Sequence, residues 1–69
     1  MTTPDERLRA IVHTREFLLD LCNSKRTPTV PDSVRAEARR LLRHYPHDRD
    51  LELVVSALPQ WFAWPVGRT

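Results

Sequence analysis

Residues 3–22, TPDERLRAIVHTREFLLDLC, decide the fold, because a clear helix start leads there into a long apolar pattern. Thr3 can cap the helix, Pro4 suits the first turn, and Glu6 follows the cap by three residues, as in a capping box. The acids of this first turn also complement the positive end of the helix dipole. The sequence therefore predicts a first helix from about Pro4 to Cys22.

Two shorter helices are predicted downstream. The second runs from about Pro31 to His44 and ends before Pro46, because proline disfavours helical geometry in the residue before it. The third runs from about Arg49 to Leu58, with Asp48 as its cap. Its apolar residues follow the spacing of one buried helix face: Leu51, Val54, Val55 and Leu58.

These patterns predict an all-α fold, a small three-helix domain (about 4–22, 31–44 and 49–58) with an aromatic C-terminal tail. At 69 residues the chain is expected to be one domain with a marginal core, frayed at 1–3 and 66–69. Cys22 is the only cysteine, which excludes a disulfide within the chain, and its position predicts a buried thiol. The acidic start and the absence of a long apolar run predict a cytoplasmic protein without a membrane partner.

The first helix has an unusually broad apolar arc, about 220° wide when residues are projected at 100° each. One packing neighbour cannot cover such an arc. Either this helix is central and touches both others, or part of it meets a second chain. Arg15 falls inside the arc. Its stem can pack along the core while its head reaches water or pairs with Asp50 or Glu52, or it can serve an interface.

The second helix carries the arginine ridge, a set of basic residues placed opposite its apolar stripe: Arg35, Arg39, Arg40 and Arg43. Like charges one turn apart repel, so the ridge is not optimised for an isolated helix. The simplest interpretation is a solvated face, partly balanced by the acids of the third helix. The alternatives are nucleic-acid binding, since arginines neutralise phosphates, and an acidic protein partner.

The aromatic tail contains Trp61, Phe62 and Trp64 within four residues. These side chains either fold back to cover the core or form an exposed patch of the kind that marks partner surfaces.

Catalytic and metal chemistry find little support in the sequence. His44 and His47 are separated by the helix-breaking Pro46, and the single glycine, Gly67, excludes a phosphate-cradling loop. No nucleophile with an activating base and no pair of catalytic carboxylates can be recognised. We therefore expect a non-enzymatic protein with no catalytic residue, no cofactor and no metal.

The chain resembles a family of short proteobacterial proteins without an established function. The resemblance covers roughly residues 4–58. It rests on three groups of residues: Pro4-Asp5-Glu6-Arg7 with Thr14-Arg15-Glu16-Phe17-Leu18, Arg35 with Glu37-Ala38, and Leu41-Leu42-Arg43-His44-Tyr45-Pro46. It implies a bacterial cytoplasmic setting and no activity.

The prediction is a small protein-interaction or adaptor module whose partner is another protein or a second copy of the chain. The alternative is a nucleic-acid-binding regulator that uses the arginine ridge. The candidate binding residues are Arg15, Arg35, Arg39, Arg40, Arg43, Trp61, Phe62 and Trp64.

Overall fold

A computed structural model describes residues 1–65 of the chain. It contains three helices, α1 (Pro4–Cys22), α2 (Asp32–Leu42) and α3 (Asp48–Ala57), and no strand within the described residues. The predicted all-α, three-helix architecture is confirmed. The predicted fraying of residues 66–69 lies outside the described residues.

The chain forms two compact units, and α1 contributes to both of them. One unit contains Met1–Val12 with the chain from Pro46 onward, and the other contains His13–Tyr45. The broad apolar arc of α1 thus has two sets of packing partners, one along each half of the helix.

The start of α1 is the predicted capping box. The backbone N–H of Thr3 donates to Oε1 of Glu6 at 2.9 Å, and the backbone N–H of Glu6 donates to Oγ1 of Thr3 at 3.3 Å. The hydroxyl of Thr3 also donates to the carboxylate of Asp5 at 2.6 Å. Three hydrogen bonds thus hold Thr3 against the start of α1.

The ends of α2 and α3 differ from the predictions by one or two residues. Pro31 has extended backbone angles, φ −61° and ψ 151°, and precedes α2 as its N-cap. After Leu42 the backbone N–H of His44 donates to the carbonyl of Leu41 at 3.3 Å, which closes a turn. The N-cap of α3 is His47 and not Asp48. The backbone N–H of His47 donates to the carboxylate of Asp50 at 2.9 Å, so the third residue of the helix completes its start.

The apolar core is small. Among the described residues only four apolar side chains are buried: Leu8, Leu18, Ala38 and Leu51. Leu8 and Leu51 belong to the first unit, and Leu18 and Ala38 belong to the second. Cys22 is half-buried, whereas the sequence predicted a buried thiol. With so few buried side chains, specific polar contacts carry a large share of the order in each unit.

The strongest of these contacts belongs to Arg35, which leaves only 8% of its surface exposed. Its Nη1 donates to the carbonyl of Leu21 at 2.9 Å and lies 3.3 Å from Oγ1 of Thr27, and its Nη2 donates to the carbonyl of Thr27. The last carbonyls of a helix have no partner within the helix, and this guanidinium supplies one at the end of α1. We call this set of contacts the Arg35 clamp.

The prediction that Arg35 belongs to an exposed ridge is therefore wrong. Projected at 100° per residue, Arg35 lies only about 60° from the buried Ala38, whereas Arg39 lies about 100° away. Residues spaced four apart exceed one full turn, so each of these arginines lies at a different angle around the helix. The first of them, Arg35, therefore lies on the packed side. The prediction treated the ridge as one straight column.

The connection between α1 and α2 is anchored by Thr27. Its hydroxyl oxygen lies 2.9 Å from the carbonyl oxygen of Asp20 and 3.2 Å from that of Asn23. Arg26 adds an exposed ion pair with the side chain of Asp20 at 3.6 Å. The Arg35 clamp therefore acts on a segment that is already tied to the last turn of α1.

Replacing Arg35 by Ala is expected to unfold much of residues 13–45. The change leaves the carbonyls of Leu21 and Thr27 without their charged donor, and hydrogen bonds to charged groups contribute about 1.5–3 kcal/mol each. Domains of this size are stable by only about 3–5 kcal/mol. Urea unfolding followed by circular dichroism measures the loss. Arg39→Ala on the next turn is the matched control and should stay within about 0.5 kcal/mol of the wild type. Equal stability of the two variants would contradict the clamp.

The cap of α1 predicts a specific dependence of stability on acid. The backbone N–H and the hydroxyl of Thr3 hold the pKa of Glu6 below its ordinary value. A carboxylate with a depressed folded-state pKa stabilises the fold above its unfolded pKa, and that contribution disappears as the pH falls through the folded pKa. The wild type should therefore have a larger free energy of unfolding than Glu6→Gln at pH 7, and this difference should disappear between roughly pH 5 and 3. Thermal unfolding across this range tests it, with Glu52→Gln as the control. A gap that is independent of pH would refute the assignment.

Candidate interaction surface

Three members of the predicted ridge remain on the surface of residues 13–45. Arg39, Arg40 and Arg43 are all exposed. Arg40 donates from Nε and Nη2 to the carboxylate of Glu37, one turn earlier, and this ion pair lowers the pKa of Glu37 and raises the pKa of Arg40. Arg39 of α2 and Arg43, the C-cap that follows it, are thus left as exposed arginines without an ion pair to any described residue.

The acids of α3 do not neutralise these arginines. The ion pairs of residues 1–65 are Arg9–Asp5, Arg26–Asp20 and Arg40–Glu37, all between residues close in sequence. The expected balance of the ridge by acids of the third helix is therefore not found. Arg15 is half-buried on α1, and its predicted ion pair with Asp50 or Glu52 is also absent from the described part of the chain.

Charge is divided unevenly between the two units. Residues 13–45 contain seven lysines and arginines and four acids, a net charge of +3. Residues 1–12 with 46–69 contain four arginines and five acids, a net charge of −1. The nearly neutral total therefore conceals one basic and one acidic unit.

Large apolar side chains also remain exposed in residues 13–45. Phe17 of α1 is 61% exposed, and Val34 and Leu41 of α2 are 40% and 43% exposed. Val34 and Leu41 lie two turns apart on the same side of α2, beside the buried Ala38. Leu19 of α1 is exposed as well. The packing of α1 and α2 therefore leaves part of both apolar stripes in contact with solvent.

The aromatic tail folds back onto the first half of α1. The backbone N–H of Ala63 donates to the carbonyl of Pro4 at 3.3 Å. Nη1 of Arg7 donates to the carbonyl of Trp61 at 3.0 Å, and the guanidinium carbon of Arg7 lies 5.1 Å from the centre of a Trp61 ring. The second nitrogen of the same group, Nη2, donates to the carbonyl of Thr2 at 3.3 Å. Arg7 thus joins the N-terminal segment to the tail.

The three predicted tail residues differ in exposure. Phe62 and Trp64 are half-buried, whereas Trp61 remains 58% exposed. The turn that carries them is closed by Trp61 and Phe62, whose backbone N–H groups both donate to the carbonyl of Leu58 at 3.0 Å. The tail is therefore mainly a structural cover of the first unit, with Trp61 as its outward-facing side chain.

Comparisons of this chain with family models, with curated proteins and with solved structures found no match. The resemblance to a family of short proteobacterial proteins stays a prediction. Within residues 1–65 no three histidines, cysteines or acids come together in a group that could hold a metal ion. None of the three helices has both the length and the apolar character needed to cross a membrane.

Two features of these surfaces escaped sequence reasoning. Arg7 was not singled out, although an arginine followed much later by a tryptophan-rich tail allows a cation–π contact. Phe17, Val34 and Leu41 were assigned to apolar faces without a prediction of which parts stay exposed. The one signal for them was the width of the apolar arc of α1.

Replacing Arg7 by Ala is expected to loosen the tail from α1. The change removes two hydrogen bonds and a cation–π contact, and such a contact contributes about 0.5–1 kcal/mol at an exposed site. Acrylamide should then quench the tryptophan fluorescence more strongly, and the amide of Ala63 should exchange faster with deuterium. Arg9→Ala, which removes an arginine paired only with Asp5, is the matched control. If both variants quench like the wild type, Arg7 does not hold the tail.

Proposed function

We propose that this chain is a non-enzymatic protein-binding module of the cytoplasm. The observation that supports the proposal best is the apolar edge, which we define as Phe17, Val34 and Leu41. These large side chains are 40–61% exposed, and the unit to which they belong buries only two apolar side chains, Leu18 and Ala38. Apolar side chains left together on a surface are typical of sites that bind another protein.

The three residues belong to one side of the α1–α2 pair. Arg35, in the first turn of α2, donates to Leu21, in the last turn of α1, so the end of α1 and the start of α2 lie close together. From this we infer an antiparallel pair of helices in which the buried Leu18 and Ala38 face each other. In an antiparallel pair, residues whose projected angle comes before that of the contact residue of their own helix lie on the same side of the pair. Phe17 has this position relative to Leu18, and Val34 and Leu41 have it relative to Ala38.

The polar surroundings favour a protein partner over nucleic acid. Of the four ridge arginines, Arg35 forms the buried Arg35 clamp and Arg40 is paired with Glu37. Two exposed arginines, Arg39 on α2 and Arg43 at its C-cap, form a weak electrostatic footprint for a phosphate backbone. An apolar edge contributes little to binding phosphates but a great deal to binding protein.

The apolar edge can be tested with the double variant Phe17→Ser/Leu41→Ser. The wild-type protein, purified from its natural host, is expected to elute with a mass above the 8.1 kDa of one chain, as a dimer or with a bound protein. The double variant should elute at 8.1 kDa, because it removes the apolar contact area while changing only exposed side chains. Size-exclusion chromatography with light scattering provides the measurement.

Leu53→Ser is the matched control, since Leu53 is 66% exposed on α3 and lies outside the apolar edge. It should retain the complex, and circular dichroism should show all variants folded. A wild type that is strictly monomeric and free of bound protein up to about 1 mM would refute the proposal, as would a double variant with unchanged binding.

A further inference from the structure

The side of the α1–α2 pair opposite the apolar edge is basic. It contains residues whose projected angle comes after that of the contact residue of their own helix. Leu19, the residue after Leu18, and Arg39, the residue after Ala38, have this position. Arg43 follows Arg39 by one turn, and the half-buried Arg15 precedes Leu19 by one turn. We call Arg15, Leu19, Arg39 and Arg43 the basic edge. It combines an exposed leucine with arginines that form no ion pair within the described chain.

A surface of opposite charge is present on the same molecule. Asp48 and Glu52 are exposed one turn apart on α3, and the exposed Leu53 follows them. Neither acid forms an ion pair with a described residue, and Arg49 on the same helix offsets only part of their charge. We call Asp48 and Glu52 the acidic face. The unit that contains it has a net charge of −1.

We propose that the basic edge of one chain binds the acidic face of a second copy. The two surfaces are complementary in charge, because each presents two exposed charges of one sign one helical turn apart. Charge complementarity of this kind selects partners and accelerates their encounter. This contact is separate from the apolar edge and goes beyond the proposed function.

The proposal predicts self-association that weakens with salt. Ionic screening shortens the range of charge interactions from about 10 Å at 0.1 M salt to about 3 Å at 1 M. Sedimentation equilibrium at low salt should therefore show species of twice 8.1 kDa that dissociate as sodium chloride is added. Self-association that strengthens with salt would instead indicate an apolar contact and would overturn the proposal.

Charge-reversal variants identify the surfaces. Arg39→Glu/Arg43→Glu places acids opposite acids and should weaken self-association at least about tenfold. Asp48→Arg/Glu52→Arg should do the same from the other side. Mixed in equal amounts, these two variants should associate with each other, because each reversed surface then meets its opposite on the partner. Lys25→Glu/Arg26→Glu changes the net charge by the same amount outside the basic edge and should self-associate within about twofold of the wild type.

The outcomes separate this inference from the proposed function. Unchanged self-association of Arg39→Glu/Arg43→Glu, or no association in the mixture of folded variants, overturns the inference. If association then disappears in Phe17→Ser/Leu41→Ser, the apolar edge is the contact between copies and the proposed function stands. A monomeric wild type that still binds another protein through the apolar edge likewise overturns the inference alone.

Discussion

The guanidinium of Arg35 is the contact on which the rest of residues 13–45 depends. It donates to the carbonyls of Leu21 and Thr27, and so joins the last turn of α1, the connecting segment and the first turn of α2. Only Leu18 and Ala38 are buried as apolar side chains in that unit, so packing alone supplies little stability there. A charged group can remain buried because three oxygen atoms satisfy it, whereas an unpaired buried charge would be destabilising.

The clamp also determines what the surface of α2 can do. Arg35 donates to carbonyl groups of the chain itself and is therefore not available to a partner. A second arginine, Arg40, is paired with Glu37. The exposed part of the ridge is thereby reduced to Arg39 and Arg43. Two exposed arginines are a weak footprint for a phosphate backbone, whereas the exposed Phe17, Val34 and Leu41 are better suited to protein. The proposed role in protein binding thus rests on the use of Arg35 and Arg40 in contacts within the fold.

The sequence predicts local structure well and the use of side chains less well. The bounds of α1 and its capping box follow from Thr3, Pro4 and Glu6, because these signals act between residues close in sequence. The burial of Arg35 depends on where the end of α1 and Thr27 lie in space. Propensity and spacing do not report such a contact, although the short angular distance of Arg35 from Ala38 points to it. The contact between Arg7 and Trp61 was missed for the same reason, since 54 residues separate them.

The side-chain NMR signals of Arg35 in the wild-type protein test this account most directly. The clamp predicts that the guanidinium N–H groups of Arg35 exchange slowly with solvent and that rotation of the group is restricted, because both terminal nitrogens are hydrogen-bonded. The exposed Arg39 should show fast exchange and free rotation in the same spectrum. Identical, fast-exchanging signals for the two arginines would contradict the clamp and return Arg35 to the surface.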